Sequence, residues 1–199
     1  MSVLPKIVDI DKKRESIAKK SVQLVLEKGF CNITVSEVAS YVGIAKGSIY
    51  NYFKTKDDII YEMIKTEYIE YDKELEKSIN DAKSIKEKVL ALFQLCISSD
   101  KKDERRRQLY KEFVSICLHQ ENSNMIEFKK SIKTKYINWL DDILKDGEEK
   151  GLLKSGSRKF SQGLFVMAEG VILLSDHDSK ILTDCIDELF KMIETGGKS

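Results

Sequence analysis

Proline and glycine are scarce in this chain, with 1 Pro and 10 Gly among 199 residues. These two residues break regular structure most strongly, so their scarcity favours long helices over sheets and loops. Charged residues make up 34% of the chain, and hydrophobic residues make up 42%, which is enough to form a core. The composition therefore predicts an all-α protein.

The sequence also lacks the motifs of several other protein classes. Cys31, Cys96, Cys117 and Cys185 are widely separated and form no Cys-x-x-Cys pair, which argues against metal binding and thioredoxin-like chemistry. The chain has neither a long uncharged apolar run nor a signal-peptide pattern, so we expect no membrane partner and a cytoplasmic protein with reduced thiols. It contains no nucleophile elbow, P-loop or Gly-x-Gly-x-x-Gly fingerprint, so we predict no catalytic residues, no cofactor and no enzyme.

Charge and histidine content give only weak signals. The net charge of +1 does not mark a nucleic-acid binder, but the first 59 residues carry 10 basic and 7 acidic side chains. This mild excess has the sign expected of an end that faces DNA. His177 lies between Asp176 and Asp178, far from His119, and we interpret that segment as a solvated loop rather than a metal site.

The most informative stretch is 34–53, TVSEVASYVGIAKGSIYNYF, which has the pattern of a helix-turn-helix. Thr34 followed by Glu37 is a capping box and predicts a helix start. Gly43 permits the left-handed backbone that a tight turn between two helices needs. One buried stripe of that first helix is predicted at Val35, Val38, Ala39 and Val42.

After this turn, a short recognition helix is predicted from about Ala45 to Asn51. Lys46 suits guanine or phosphate, Gly47 allows close backbone approach, and Ser48 suits either a base edge or a phosphate. Tyr50 is expected to point to a phosphate and Tyr52 to the core, whereas Asn51 fits adenine recognition and a polar helix end equally well. The predicted DNA-binding residues are Thr34, Lys46, Gly47, Ser48, Tyr50, Asn51, Lys54 and Lys56.

Three of these residues lie outside the recognition helix. Thr34 caps its helix, and the same helix N-terminus would attract a phosphate; the two roles are compatible. Thr55 and Asp58 form a second capping box, and Lys54 and Lys56 flank that helix start as a predicted phosphate clamp.

With its flanks, this stretch resembles the DNA-binding domain of the TetR/AcrR family of bacterial transcriptional repressors. The resemblance covers roughly residues 10 to 60, and the matching positions are Arg14, Ile17, Ala18, Gly29, Phe30, Thr34, Val35, Val38, Ala39, Gly43, Ile44, Lys46 to Tyr50, Tyr52, Phe53 and Lys54 to Lys56. It departs at Ala45, where the family usually has Ser, and at Asn51, where His, Tyr or Trp is common. For the basic run at Lys12, Lys13 and Arg14, the resemblance implies phosphate contacts, while a solvated helix end is the alternative.

The remaining chain is predicted to be helical and to form a second module. Residues 1–54 are expected to be the helix-turn-helix DNA-binding domain, and residues 55–199 a helical effector-binding and dimerisation domain. A helix from Thr55 to about Asn80, roughly 36 Å long, would link the two mechanically. The charge run at 100–107 is interpreted as a solvated connection and helix start rather than a DNA-binding arm. Later helices are predicted at about 85–97, 109–119, 125–150, 157–175 and 179–194.

This second module is interpreted either as a ligand receptor or as a dimeriser only. Apolar side chains on facing helices are predicted to line a pocket: Phe93, Cys96, Tyr110, Phe113, Cys117, Phe128 and Trp139. Each one alone fits packed core better than pocket, but the family resemblance implies a small effector, and the apolar set suggests a lipophilic one such as an acyl chain or an aromatic drug. Redox sensing at Cys96 or Cys117 is a lesser alternative.

The last two helices carry more apolar surface than an internal core explains, which predicts a four-helix interface with a second copy. The residues assigned to that interface are Leu164, Met167, Val171, Leu174, Leu182, Ile186 and Leu189.

The sequence thus predicts a dimeric regulator, a repressor that binds double-stranded operator DNA at half-sites roughly 34 Å apart and is released by a small lipophilic effector. One alternative is a helical interaction or dimerisation protein without a small-molecule effector. Another is a small enzyme that uses the helical pocket.

Overall fold

A computed structural model describes residues 9–119, 123–174 and 179–196 of the chain. Within these ranges no strand is formed, and the predicted all-α class is confirmed. Two 3₁₀ turns, Phe30–Asn32 and Ser157–Phe160, accompany the α-helices. The α-helices are α1 (Ile10–Lys28), α2 (Val35–Val42), α3 (Lys46–Ile49), α4 (Lys56–Asp81), α5 (Ile85–Leu92), α6 (Gln94–Ile97), α7 (Lys101–His119), α8 (Ser123–Glu149), α9 (Ser161–Leu174) and α10 (Ser179–Ile193).

The residues form two compact units, one up to Glu70 and one from Tyr71 onward. The predicted functional division at residue 55 differs from this compact-unit boundary, since α4 contributes residues to both units, and it stays a prediction. Among the described residues, none of the helices combines the length and the apolar character needed to cross a membrane.

In the first unit, α1 packs against α2, and α2 packs against α3. The inward face of α1 is buried, at Ile17, Ser21, Leu24 and Val25. The helix ends at Gly29, whose φ of 75° lies outside the range that other residues readily adopt. Phe30 then folds into the core with 1% of its surface exposed. This core holds the helix-turn-helix in place.

In the second unit, α8 packs against α5 and α9, and α10 packs against α5, α6 and α9. The predicted long helices are confirmed as α4, with 26 residues, and α8, with 27 residues. The predicted helix 85–97 is instead interrupted at Phe93, whose N–H group is shared between the carbonyls of Val89 and Leu90. Such a tightened bond is typical of a helix end.

The interpretation of residues 100–107 as a solvated connection is wrong in part. Helix α7 begins within this run, at Lys101, as the helix-start part of the interpretation expects. Three charged side chains of the run are nevertheless buried: Asp103, Arg106 and Arg107. Arg106 pairs with Glu74 and Asp103, and Arg107 donates to the carbonyls of Leu95 and Ser98. Buried charges are tolerated only with such partners, so this segment belongs to the core of the second unit.

Candidate functional site

The turn between α2 and α3 has the geometry that the sequence predicts. The Thr34 hydroxyl accepts the N–H of Glu37 at 3.2 Å, and the Glu37 carboxylate accepts the N–H of Thr34 at 2.9 Å. Both halves of the capping box are therefore present. Gly43 ends α2 with φ 76° and ψ 36°, the left-handed conformation that glycine adopts without strain.

Helix α3 separates a buried anchor from an exposed polar edge. Ile49 is fully buried against the unit, whereas Tyr50 keeps 50% of its surface exposed. The structure brings the remaining predicted contacts of this short helix to the exposed side as well: Lys46, Gly47, Ser48 and Asn51. Lys46 forms no ion pair with another described residue. Its ammonium is therefore available to a phosphate or to the acceptors of a guanine.

Gly47 is not demanded by the fold of the unit. A Cβ atom placed on Gly47 would meet nothing within 4 Å, and the residue is helical rather than left-handed. Alanine would be the better helix former at this position. A surface that approaches α3 from outside would give glycine a reason to be there, because it allows the backbone to come closest.

At the start of α2, the structure supports the capping role of Thr34 more than a phosphate contact. The N–H and the hydroxyl of Thr34 both donate to the Glu37 carboxylate. That carboxylate pairs with Lys28 at 2.8 Å, and this bond, together with those from Thr34, lowers the pKa of Glu37 to about 2. The Glu37 carboxylate places a negative charge at the helix start, and this charge disfavours a phosphate there.

The predicted clamp at the start of α4 is only half preserved. Lys54 is exposed and forms no ion pair with another described residue. Lys56 is half-buried, donates to the carbonyls of Phe30 and Cys31 at 3.1 and 3.3 Å, and lies 4.5 Å from the centre of the Phe30 ring. In the structure it joins α4 to the turn after α1, and its assignment as a phosphate contact stays a prediction.

Arg14 also has a structural role, although the resemblance implied a phosphate contact for its basic run. Its guanidinium donates to the Glu62 carboxylate at 3.0 Å and to the Tyr52 carbonyl at 2.6 Å. It also lies 4.7 Å from the centre of the Phe53 ring. These contacts fix the segment that follows α3, so Arg14 positions the exposed edge rather than forming part of it.

Comparison with known proteins identifies this arrangement. The sequence model of the family described as bacterial regulatory proteins, tetR family, matches residues 17–63, which contain the complete helix-turn-helix. The fatty acid metabolism regulator protein of Bacillus subtilis is 29% identical over 140 residues, which is 70% of each chain. The chain is a TetR-family transcriptional regulator.

Solved structures agree with this assignment along nearly the whole regulator. FadR from Bacillus subtilis, solved in complex with stearoyl-CoA, aligns with a TM-score of 0.64 and 25% identity over 92% of this chain and 98% of that one. The reduced form of NemR from Escherichia coli aligns with a TM-score of 0.72 and 21% identity over 94% and 100% of the two chains. At 21% identity, the comparison with NemR shows that the two proteins share a fold.

In the second unit of the regulator, several predicted pocket residues form one packed cluster. Phe113 is fully buried, with its ring centre 6.4 Å from that of Tyr110 and 6.1 Å from that of Phe128. The Tyr110 hydroxyl donates to Glu169 at 2.5 Å, and the Cys96 thiol donates to the Ala168 carbonyl at 3.7 Å. Helices α6 to α9 thus meet around Phe113.

The other predicted pocket residues occupy the edges of this unit. Phe93 is buried at the α5–α6 break, and half-buried Cys117 donates to the Met125 carbonyl at 3.8 Å. Trp139 packs instead against Tyr136, with ring centres 5.5 Å apart, and forms no ring contact with the Phe113 cluster. Trp139 is therefore not among the residues that the structure gathers around Phe113.

Redox sensing at Cys96 or Cys117 finds no support. Burial raises the pKa of Cys96 to about 12, and burial also raises the pKa of Cys117 above its usual value. The thiolate is the form that oxidants attack, so both thiols are held in the unreactive form at neutral pH.

The predicted dimer interface needs correction, because several of its residues already belong to the core of the subunit. Leu182 and Ile186 are fully buried within the chain, and Leu164 and Val171 are nearly so. Their side chains are not available to a second copy. Met167 and Leu189 are half-buried, and among the predicted interface residues only Leu174 is well exposed, at 89%.

The exposed apolar face of α9 and α10 consists largely of other residues, and we call it the outer stripe. It includes Val166, Ile181 and Met192, which keep 59%, 51% and 67% of their surfaces exposed. Helical spacing aligns its members along each helix. The outer stripe is formed by Gly163, Val166, Gly170 and Leu174 of α9 and by Ile181, Cys185 and Met192 of α10. The sequence contains this spacing, but the apolar residues all round α9 obscured it.

Proposed function

We propose that this TetR-family regulator is a cytoplasmic homodimeric repressor that binds double-stranded operator DNA and leaves it when a lipophilic effector binds its second domain. The observation that carries the DNA-binding part is the exposed polar edge of α3, presented by a buried Ile49. This part of the molecule acts by binding, and we propose no enzymatic role. The functional boundary is proposed at residue 55, where α4 follows the helix-turn-helix.

The effector part of the proposal is supported by the relatives. The Bacillus subtilis relative is named as a regulator of fatty acid metabolism, and the FadR structure holds stearoyl-CoA. A long acyl chain also suits the apolar cluster around Phe113. We therefore propose a long-chain acyl thioester as the effector class.

Within the second unit, ion pairs connect α7 and α8, which contribute to the Phe113 cluster, to α4. Arg106 of α7, which pairs with Glu74 of α4 at 2.8 Å, lies 4.9 Å from the Tyr71 ring centre. Lys135 of α8 pairs with Asp72 of α4 at 2.6 Å. An effector that separated α7 from α8 would act on both ion pairs, and α4 continues from these residues back to Lys56. Such coupling requires that the effector bind the two states unequally.

Replacing Lys46 with Ala should weaken operator binding by about 1–3 kcal/mol, because it removes a cation from the edge that faces DNA. If Lys46 contacts a phosphate, the loss of affinity will be similar for all duplex sequences. The slope of log affinity against log salt concentration will then decrease in magnitude by about one. Gel shifts on DNA selected from a random pool and on the gene's own upstream DNA measure both effects. Lys73→Ala is the matched control, since Lys73 is exposed on the part of α4 that belongs to the second unit.

Two further substitutions on α3 refine this test without disturbing the core. Tyr50→Phe removes one hydroxyl and should cost about 1 kcal/mol of binding. Gly47→Ala should leave the thermal midpoint unchanged or slightly higher and still reduce affinity, because its new methyl group meets only what approaches from outside. Unchanged affinity in all three variants would show that α3 does not touch DNA.

Addition of a long-chain acyl-CoA to the operator complex should reduce operator affinity by about 5- to 150-fold, the range of ordinary allosteric coupling. Free coenzyme A and a short-chain thioester are the matched controls, because they lack the apolar chain. Fluorescence anisotropy of labelled operator measures the release. If neither acyl thioesters nor aromatic drugs cause release or a thermal shift, the second unit is a dimeriser without an effector, a possibility that the tight packing of Phe113 favours.

A further inference from the structure

Helices α4 and α8 border a surface cleft of about 350 Å³ in the second unit. It is separate from the Phe113 cluster described above, and none of its lining residues takes part in the proposed effector mechanism. Its lining comes from two short segments: Glu76, Ile79 and Asn80 of α4, and Trp139, Asp142 and Ile143 of α8.

The walls of this cleft combine apolar and aromatic surface that solvent can reach. Ile143 is buried with 8% exposure, while Ile79 and Trp139 are half-buried. The indole of Trp139 is held by the Tyr136 ring on α8, with centres 5.5 Å apart. A fixed aromatic ring beside an apolar wall can bind the body of a small organic molecule without first losing much side-chain freedom.

The Trp139 ring already attracts a cation in this structure. The Lys135 ammonium lies 4.5 Å from the ring centre, which is a cation–π contact. The Asp72 carboxylate accepts a hydrogen bond from Lys135 at 2.6 Å and another from the Tyr136 hydroxyl at 3.0 Å. Because Asp72 balances the charge of Lys135, this pair contributes no net charge beside the cleft.

The polar part of the lining is acidic, and Arg158 acts electrostatically on Asp142 without forming an ion pair with it. Glu76 and Asp142 are both exposed, and neither forms an ion pair with another described residue. Asn80 supplies the remaining polar group, which is neutral. An anion would be repelled here, whereas a cation would meet two carboxylates and an indole face at once.

We propose that this cleft binds a small organic cation, an ammonium compound with an aromatic or alkyl body. The apolar wall receives the body, and Glu76, Asp142 and Trp139 receive the charge. A bare metal ion is a poorer occupant, because the described residues contain no group of three carboxylate, histidine or cysteine ligands.

Trp139 provides a direct test, because it is the one tryptophan in the sequence. Titration of the full-length protein with phenyltrimethylammonium should change the intrinsic fluorescence of Trp139 saturably, while its neutral counterpart tert-butylbenzene and the anion benzoate should not. Glu76→Gln combined with Asp142→Asn should weaken binding about tenfold, which corresponds to about 1.4 kcal/mol, while preserving the shape of the cleft. Glu127→Gln, at an exposed position elsewhere on α8, is the matched control and should bind normally.

Calorimetry of Trp139→Phe locates the bound cation independently of fluorescence, and this variant should also bind several-fold more weakly. A linear, unsaturable fluorescence change would overturn the proposal, as would equal affinity in the charge-neutralised variant or in Trp139→Phe. All of these measurements are made without DNA and without an acyl thioester. Their failure would therefore leave the operator and effector proposals untouched, and failure of those proposals would not affect this one.

Discussion

Replacing Phe113 with Ala is expected to lower the free energy of unfolding by about 3–5 kcal/mol, the usual cost of deleting a buried phenyl ring. Phe113 is fully buried, with two aromatic rings close by, so the surrounding side chains can fill only part of the space that the ring vacates. Denaturant unfolding followed by circular dichroism measures the loss.

The control is Phe160→Ala. Because Phe160 keeps 41% of its surface exposed, its replacement should lower the free energy of unfolding far less. The variant at Phe113 also distinguishes packed core from effector pocket. If an acyl chain occupies this cluster, it should stabilise Phe113→Ala more than the parent protein, because apolar cavities accept apolar ligands. A small effect of Phe113→Ala on stability would mean that the cluster is loosely packed and already open to a ligand.

The features that were predicted from the sequence are those set by neighbours in the chain. Thr34 with Glu37, and Thr55 with Asp58, form capping boxes across three residues, and the structure contains both. Gly43 likewise follows from the local need for a left-handed residue at a helix end. Patterns of this range specify where helices begin and end, and therefore where the helix-turn-helix lies.

The roles that were mispredicted depend on partners far away in the sequence. Arg14 meets Glu62, and Arg106 meets Glu74, across 48 and 32 positions. A charged residue with a distant partner looks the same in sequence as a solvated one, so Arg14 was left between a phosphate contact and a solvated helix end, and Arg106 was placed in a surface connection. The structural contacts of Lys56 were missed for the same reason, since its acceptors are carbonyls after α1.

The dimer interface shows a related limit of periodicity. Apolar residues at helical spacing predict that a face is buried, but they do not say whether its own subunit or a second copy covers it. Leu182 and Ile186 are covered by their own subunit, whereas Val166 and Leu174 are not. The difference appears only when the neighbouring helices are in place.

The double variant Val166→Arg, Gly170→Arg is expected to be monomeric and to bind the operator about 10²–10⁴-fold more weakly. The double substitution should hardly change the stability of the subunit itself, because Val166 is 59% exposed and a Cβ at Gly170 would meet nothing within 4 Å. Across a two-fold interface, however, the same side chains would place like charges against each other and fill the groove that glycine leaves. One four-residue recognition helix per monomer then has to bind a half-site alone.

Sedimentation at several protein concentrations measures the dissociation, and anisotropy on a full operator and on a single half-site measures the affinity. Gln162→Arg is the control for one added charge, because it places a single arginine at an exposed position of α9 outside the outer stripe. The monomeric variant should bind the full operator no more tightly than the half-site, since the higher affinity for the full operator comes from joining two DNA-binding units. If the double variant still sediments as a dimer with a normal thermal midpoint, the outer stripe is not the dimer interface, and another surface must join the two subunits.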